Sequence, residues 1–360
     1  MVDFDNPSRK HPHRPWWIAA AGLALLALAY SGFWFYLAST ARDGVVQWVE
    51  KQRARGLAVR YDSLVTVGYP LSIRLNFSNP GIGAPNAAAP WGWEGGRLSI
   101  MFRPWDMQNL QAAASGKQML AFPLDGRTQT YTGEAGFAEG ALRLSGGDVQ
   151  GLRLNLNGVA FKPEKPGLEV IGITAAALDI NRLALDGADH QTATASVTVT
   201  ARGVTGPWLK ISPLGEEVQN LTIEGHLMGS IERGPLTESL ENWRDGGGTF
   251  ELSKLNVHHG PLKINTDGTI ALDEKLQPIG ALTAHVEGFF ETVDALQRLK
   301  MVKPRDAVTA TMVLGVLSRK SLNGGPATLN LALTIQNRRL YAGPVGLLDV
   351  PRIEWRALAN

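Results

Sequence analysis

The sequence predicts a mainly β protein, in which one N-terminal transmembrane helix precedes an extended or curved antiparallel β domain with a few short helices. Two observations carry this prediction. An uncharged stretch runs from Trp16 to Ala38, and a helix that crosses the hydrocarbon core of a bilayer needs about 20 apolar residues. Along most of the remaining chain, apolar and small polar residues alternate with a period of two, as in strands with one dry and one wet face.

Aromatic residues at both ends of the uncharged stretch favour a retained membrane anchor. Amphipathic rings prefer the headgroup level of a bilayer, and we expect this position for Trp16, Trp17, Trp34 and Tyr36. The alternative is a cleavable signal peptide, whose apolar region is only about 7–15 residues long. Residues 38–40 form a poor small-residue cleavage site, so the sequence favours the anchor.

The predicted anchor divides the chain into regions of different kinds. We expect residues 1–15 to form a cytoplasmic tail, 16–38 the transmembrane helix, 39–56 an amphipathic membrane-proximal helix and 57–360 a periplasmic β-rich domain. Basic residues lie on both sides of the anchor, but long domains translocate largely regardless of charge. A solvated stalk is the alternative for the membrane-proximal segment. The β region forms one long domain, or two halves with a break near 201–220.

Composition excludes several classes of function. The formal net charge of +2, and the lack of a stripe of basic and aromatic residues after the membrane-proximal region, argue against a nucleic-acid-binding surface. The chain has no cysteine, which excludes disulfides, thiol catalysis and cysteine metal sites. Hydrophobic residues make up 44% of the chain, enough for a sizeable core.

Strand-like alternation recurs along the chain and is separated by turn signals. The alternating segments are residues 71–78, 152–157, 197–200, 221–224, 262–265 and 329–335. Asp-Gly pairs predict tight hairpin turns at residues 125–126, 186–187 and 267–268. Glycine-rich breaks lie at residues 146–147, 246–248 and 324–325. We expect helices at residues 105–115, 289–301 and 307–318.

Signatures of catalysis are missing from the sequence. It has no HExxH motif, no GxSxG elbow and no Walker loop. The adjacent histidines at residues 258–259 point to opposite faces if they lie on a strand, so they are poorly placed to share a metal. Carboxylate pairs such as Asp179 with Asp186, or Glu224 with Glu251, fall on the polar side of alternating segments. We therefore predict a non-enzymatic protein without a catalytic, cofactor or metal site.

Five tryptophans beside glycine or proline have two interpretations. The first is that each ring fills an end of the sheet. The second is a rim of amphipathic rings that meets lipid or another subunit. The residues are Trp91, Trp93, Trp105, Trp208 and Trp243.

A series of short turn-forming motifs follows the anchor in a characteristic order. They comprise residues 56–57, 61–62, 68–71, 243–248, 260–262, 268–273, 277–280 and 340–346. This ordered set resembles the domain-of-unknown-function 2125 family over nearly all the chain after the anchor. The resemblance implies a single-pass inner-membrane protein of Gram-negative bacteria, and the family has no established activity. The layout is also similar to AsmA-like envelope proteins, which implies a link to lipid transport or outer-membrane assembly. The extended repeats of their large bridging members are missing.

Two hypotheses of function follow. In the first, the protein binds or handles lipid in an apolar β trough, with the lipid bilayer and a phospholipid as partners. The candidate lining residues are Leu71, Ile73, Leu75 and Phe77 on one strand and Leu152, Leu154 and Leu156 on a second. The alternative is that these residues form a closed core. In the second hypothesis, the protein is an envelope assembly or scaffold protein, and small residues such as Gly32 allow its transmembrane helix to pack closely.

Overall fold

The computed structural model describes residues 16–87, 89–124, 126–183, 188–232, 234–319 and 326–355. The predicted cytoplasmic tail, the predicted turn at residues 186–187 and the glycine pair at 324–325 lie outside these ranges. The same holds for residue 125 of another predicted turn. The described part of the chain contains one very long α-helix, one large sheet and three short α-helices, besides one turn of 3₁₀ helix at Pro207–Leu209.

The first helix, α1, runs without interruption from Trp16 to Ala54 over 39 residues. The predicted transmembrane and membrane-proximal segments are therefore one helix, because nothing in residues 39–41 breaks helical hydrogen bonding. It ends just before Gly56, which has a φ of 90° that only glycine adopts readily. By length and composition, α1 is a candidate membrane span. Its most apolar segment of 18 residues has a mean hydropathy of 1.8, and only 6% of that segment is buried in the protein.

Seventeen strands form one sheet in the described residues. Their bounds are β1 (Ala58–Arg60), β2 (Ser63–Val67), β3 (Ile73–Ser78), β4 (Gly81–Ala84), β5 (Trp91–Arg103), β6 (Asp106–Leu124), β7 (Arg127–Ser145), β8 (Asp148–Pro163), β9 (Ile171–Arg182), β10 (Ala193–Thr205), β11 (Glu217–Met228), β12 (Thr249–His259), β13 (Leu262–Leu272), β14 (Pro278–Glu287), β15 (Thr328–Gln336), β16 (Arg339–Ala342) and β17 (Val345–Asp349). The remaining helices are α2 (Leu236–Asp245), α3 (Phe289–Arg298) and α4 (Pro304–Leu317).

The sheet is an antiparallel meander, which confirms the predicted fold class. From β5 to β17, each strand pairs with the next one along the chain. At the start of the meander, β5 pairs with β4 through its first half and with β3 through its second half. The sheet also continues through the position of the predicted break, since β10 and β11 pair along their lengths.

The predicted turns and helices have mixed outcomes. The helices predicted at 289–301 and 307–318 are α3 and α4, and the glycine pair at 146–147 joins β7 to β8 with both residues at positive φ, as the twist of a hairpin requires. The helix predicted at 105–115 is wrong, because these residues mostly belong to β6 and pair on both sides. The turn predicted at 267–268 is also wrong: both residues lie inside β13, beside an irregularity in its register with β12.

The register places apolar side chains on one face across nearly the whole sheet. One row of mutually paired positions is Thr66, Leu75, Ile100, Ala112, Gly140, Leu154, Leu178, Val199, Ile223, Leu255, Thr266, Ala284 and Leu331. The next row along the strands points to the other face. It is largely polar: Val65, Asn76, Ser99, Ala113, Glu139, Asn155, Ala177, Thr200, Thr222, Asn256, Asn265, His285 and Asn330.

Helices cover the two ends of this apolar face. At one end, the second half of α1 packs on β2, β3 and β5, where Leu64, Leu75 and Phe77 form a buried cluster. At the other end, α3 and α4 pack over β13 to β15, around Val286 and Leu329. A further buried cluster of Tyr131, Val159, Phe161 and Ile171 lies on β7 to β9, between the two helix-covered ends.

Candidate functional site

The middle of the apolar face is only half-buried. Leu152 on β8, Leu178 on β9 and Val199 on β10 are all partly exposed, and Leu154 is 40% exposed. All the described strands belong to one sheet, so no second sheet in the described residues packs on this surface. Buried core is therefore present at the helix-covered ends and around Tyr131, Val159 and Phe161 on β7 and β8. Between these clusters, Leu152, Leu154, Leu178 and Val199 form an open apolar surface.

A cleft lies where this surface meets α1. It has a volume of about 460 Å³, within the range of roughly 300–1,000 Å³ found for ligand cavities. Its walls are the second half of α1, β1 and the apolar face of β3 to β6, and Arg60 is the only charged residue among the described residues that line it. The guanidinium of Arg60 pairs with the carboxylate of Glu94. The cleft is thus an apolar cavity with one neutralised charge at its edge.

The cleft continues into the open surface through β6. Leu110 of β6 lines the cleft, pairs with Leu142 of β7, and Leu142 pairs with Leu152 of β8. Paired residues in neighbouring strands point to the same face. The register therefore joins the cleft beside the helix to the half-buried surface of the middle strands.

The predicted trough residues fall into three environments. Leu75 and Phe77 line the cleft. Ile73 is fully buried and packs against α1, whereas Leu71 precedes β3, is 68% exposed and is not among the residues that line the cleft. Leu152, Leu154 and Leu156 lie on the same face of the sheet, four strands from β3 by register, which is about 19 Å at ~4.8 Å per strand. Of these three, Leu156 packs against the buried cluster that contains Tyr131.

The predicted membrane-interface residues divide in a similar way. Trp16, Trp17 and Tyr36 are 77%, 62% and 67% exposed. Trp34 is only 4% exposed, and its indole N–H donates a hydrogen bond of 3.1 Å to the carbonyl of Ser72. The loop before β3 covers Trp34, so this ring belongs to the protein core and is not free to meet headgroups.

Sequence reasoning missed the contribution of α1 to the cleft. Ala41, Val45, Trp48 and Val49 belong to its helical wall, although residues 39–56 were expected to form an amphipathic membrane-proximal helix or a solvated stalk. The apolar spacing of residues 45, 48 and 49 did signal a buried helical face. It could not identify the sheet as the surface that this face packs against.

The five tryptophans lie in different environments, and contact of any of them with lipid or another subunit stays a prediction. Trp243 is buried, and its N–H donates a 2.8 Å hydrogen bond to the carbonyl of Met228. Trp93 lines the cleft and donates to the side-chain oxygen of Gln118 at 3.0 Å. The other three, Trp91, Trp105 and Trp208, are 39%, 62% and 50% exposed.

Charged residues on the polar face pair with one another. Arg153 bonds to Asp179 at 2.6 Å, and Lys254 lies 3.5 Å from Glu224. Glu251 accepts hydrogen bonds from two threonine hydroxyls, and Asp186 lies outside the described residues. Within the described ranges, no group of three metal-binding side chains comes together.

The resolved pKa shifts lie outside the cleft. A hydrogen bond from Lys210 to Glu169, 2.8 Å long, raises the pKa of the lysine. A hydrogen bond from Thr192 lowers the pKa of Asp189. Burial raises the pKa of Tyr131, with a smaller contribution from the charge of Glu169. These shifts have local structural causes and do not identify an acid or base at the cleft.

Comparison with known proteins adds a family but no activity. No curated protein matches the chain, and no solved structure does. The similarity to AsmA-like envelope proteins stays a prediction. The model of one family, described as uncharacterized proteins conserved in bacteria, matches residues 34–351. This range begins at the first buried residue of α1 and includes all the strands. The chain therefore belongs to the domain-of-unknown-function 2125 family.

Proposed function

We propose that this is a non-enzymatic, membrane-anchored envelope protein that binds lipid acyl chains in the cleft beside α1 and along the open apolar surface. The observation that carries the proposal is the continuity of these two features, from Leu75 through Leu110 and Leu142 to Leu152. A surface of this kind is unusual on a soluble protein unless it meets a ligand, a membrane or another protein.

The packing of α1 supports a retained anchor. Residues 16–33 are largely exposed, whereas Trp34, Ala38 and Val49 are buried against the domain. Cleavage near residue 38, as in a signal peptide, removes Trp34 from the core that contains Ile73. The proposed location is the bacterial inner membrane, with the sheet on the periplasmic side, as the family resemblance implies.

Energetics favour an acyl chain as the occupant of the cleft. Burial contributes about 0.8 kcal/mol per methylene group, so about ten buried methylenes contribute roughly 8 kcal/mol before the costs of binding are subtracted. An uncharged chain needs no polar partner, and the lining supplies almost none: Arg60 is already paired with Glu94.

A scaffold function is the second candidate, and the outer surface of α4 favours it. The exposed fractions of Met312, Val313 and Val316 are 67%, 50% and 85%. Such a cluster on a short helix is typical of contact with another protein. In this alternative, the protein assembles an envelope complex through α4, and the open sheet face meets protein instead of lipid.

Site-specific photocrosslinking of the full-length protein in its native membrane separates the two candidates. A photoreactive amino acid replaces Leu154, which is on the apolar face, or Asn155, its neighbour on the polar face. Mass spectrometry of the purified protein then identifies what each position captures. The lipid proposal predicts a phospholipid adduct at residue 154 and none at residue 155.

Two other outcomes contradict the lipid proposal. Protein adducts at residue 154 without lipid adducts favour the scaffold, and equal lipid capture at both positions indicates non-specific contact with the membrane. The full chain is needed, because a soluble fragment that starts at residue 42 lacks Trp34 and Ala38, which are buried in the domain.

A further inference from the structure

The loop of residues 68–72, between β2 and β3, is bonded to the apolar half of α1. The hydroxyl of Tyr30 donates a 2.6 Å hydrogen bond to the carbonyl of Pro70. The hydroxyls of Ser31 and Tyr69 are 2.7 Å apart. The ring of Tyr69 also stacks on Phe35 of α1, with a centroid distance of 5.9 Å. The loop is thus held against the helix at the level of residues 30–35.

The rise of the helix gives the depth of this loop. At 1.5 Å per residue, Tyr30 lies about 21 Å along the helix from Trp16, and Tyr36 lies about 30 Å from it. The hydrocarbon core is about 30 Å thick. With Trp16 at one boundary, Tyr36 is at the other, and Tyr30 is about 9 Å inside it. The loop therefore lies below the second boundary if α1 spans the membrane.

The exposed side chains at this end of the sheet suit such a position. Tyr69 and Leu71 of the loop are 50% and 68% exposed. Trp105, in the turn between β5 and β6, is 62% exposed. It lies at the same end, because Phe102 near the end of β5 pairs with Ile73 at the start of β3. We call Tyr69, Leu71 and Trp105 the apolar rim.

Basic residues lie just above the rim. Arg74 on β3 and Arg103 at the end of β5 are both exposed, and each is within three residues of a rim residue along the chain. Long basic side chains bury their methylene stems and extend their charges toward water or phosphate. An apolar tip with arginines behind it is complementary to the boundary between acyl chains and anionic headgroups.

We propose that the apolar rim inserts into the leaflet that surrounds the outer end of α1. This inference rests on the anchoring part of the proposed function and goes beyond it, because it assigns a second membrane contact to the β domain. The rim lies at the same end of the sheet as Phe102, which lines the cleft. Rim insertion places that end of the cleft next to the acyl chains of the bilayer.

The absence of cysteine makes a labelling test direct. Single cysteines are introduced as L71C and W105C in the rim, L26C in the middle of the apolar part of α1, and E164C in an exposed position after β8, at the far end of the long strands. Each variant carries a polarity-sensitive fluorophore and is reconstituted in nanodiscs that contain spin-labelled phospholipids. Blue-shifted emission and loss of fluorescence through quenching report contact with lipid.

The proposal predicts quenching at residues 26, 71 and 105 and none at residue 164. Spin labels near the headgroup quench residues 71 and 105 most strongly, and labels at the chain ends quench residue 26 most strongly. If residue 26 is quenched while residues 71 and 105 behave like residue 164, rim insertion is wrong and the anchor stands. If residue 26 is not quenched either, the anchor and the inference both fail.

Discussion

At the scale of single residues, Tyr131 shows how tightly the sheet packs beside the open surface, since Leu156 packs against its cluster. It is fully buried in a cluster with Val159 and Phe161, and its ring stacks on Phe122 at 5.4 Å. Its hydroxyl has no hydrogen-bond partner among the described residues. A buried hydroxyl without a partner costs free energy, and the same burial raises the pKa of the phenol.

Replacing Tyr131 with phenylalanine is expected to leave the protein as stable or to stabilise it by about 1 kcal/mol, because the unpaired hydroxyl is removed. Chemical denaturation of the two proteins measures this difference. A clearly lower stability of Y131F contradicts the prediction and shows that the hydroxyl has a partner.

The pH dependence gives a second measurement. The folded protein holds the phenolic proton more tightly than the unfolded chain does. Proton binding by Tyr131 therefore contributes to the stability of the folded state, and this contribution is complete below about pH 10. It is lost as the pH rises through the raised pKa of the folded state. The stability of the native protein should fall relative to that of Y131F in this alkaline range.

At the scale of elements, α1 is one helix with two environments. Its first half is exposed and apolar, and its second half packs on the sheet and forms a wall of the cleft. Within that second half, neighbouring residues differ sharply: Val49 is 3% exposed, whereas Val46 is 39% exposed. Val45 and Val49, which are four residues apart and lie on one side of the helix, both line the cleft, whereas Val46 does not.

We therefore expect V49D to destabilise the domain by about 3 kcal/mol or more, because it buries an unpaired charge and removes an apolar contact. V46D introduces the same charge at an exposed position and should change stability by roughly 0.5 kcal/mol or less. Thermal unfolding of both variants in the same nanodiscs tests the difference. Equal effects of the two substitutions contradict the packing of α1 on the sheet.

At the scale of the whole molecule, the sheet is a long antiparallel meander whose strands differ greatly in length. The strands from β6 to β10 are long and paired on both sides. In contrast, β16 and β17 are four and five residues long, and in the described residues β17 pairs only with β16. Open sheets of more than about ten strands usually curl, and the uniform placement of apolar residues gives this one a distinct inner surface.

Hydrogen exchange should reflect this gradient. We expect amides of β8 and β9 to exchange slowly, because their opening requires disruption of neighbouring pairs on both sides. Amides of β16 and β17 should exchange much faster. Mass spectrometry of exchange in the full-length protein provides the measurement, and uniform protection across the sheet contradicts the expected gradient.

The sequence was sufficient for the features that repeat locally. An uncharged run of 23 residues and a period-two alternation predicted the apolar helix and the antiparallel β domain, because both depend on the spacing of residues along the chain. The ordered turn motifs predicted the family, which the family match confirms. Alternation also identified Leu75 and Leu154 as residues of an apolar face.

Tertiary structure decided which apolar residues are covered and by what. Tryptophan is a residue type that is common at membrane interfaces, but the 68–72 loop buries Trp34. Residues 105–115 became strand because β5 and β7 pair with them, which outweighs their local pattern. Whether a row of leucines is core or open surface depends on where helices far away in sequence come to rest. The spacing of apolar residues along the chain does not indicate such long-range contacts, so the cleft and the rim could be identified only from the fold.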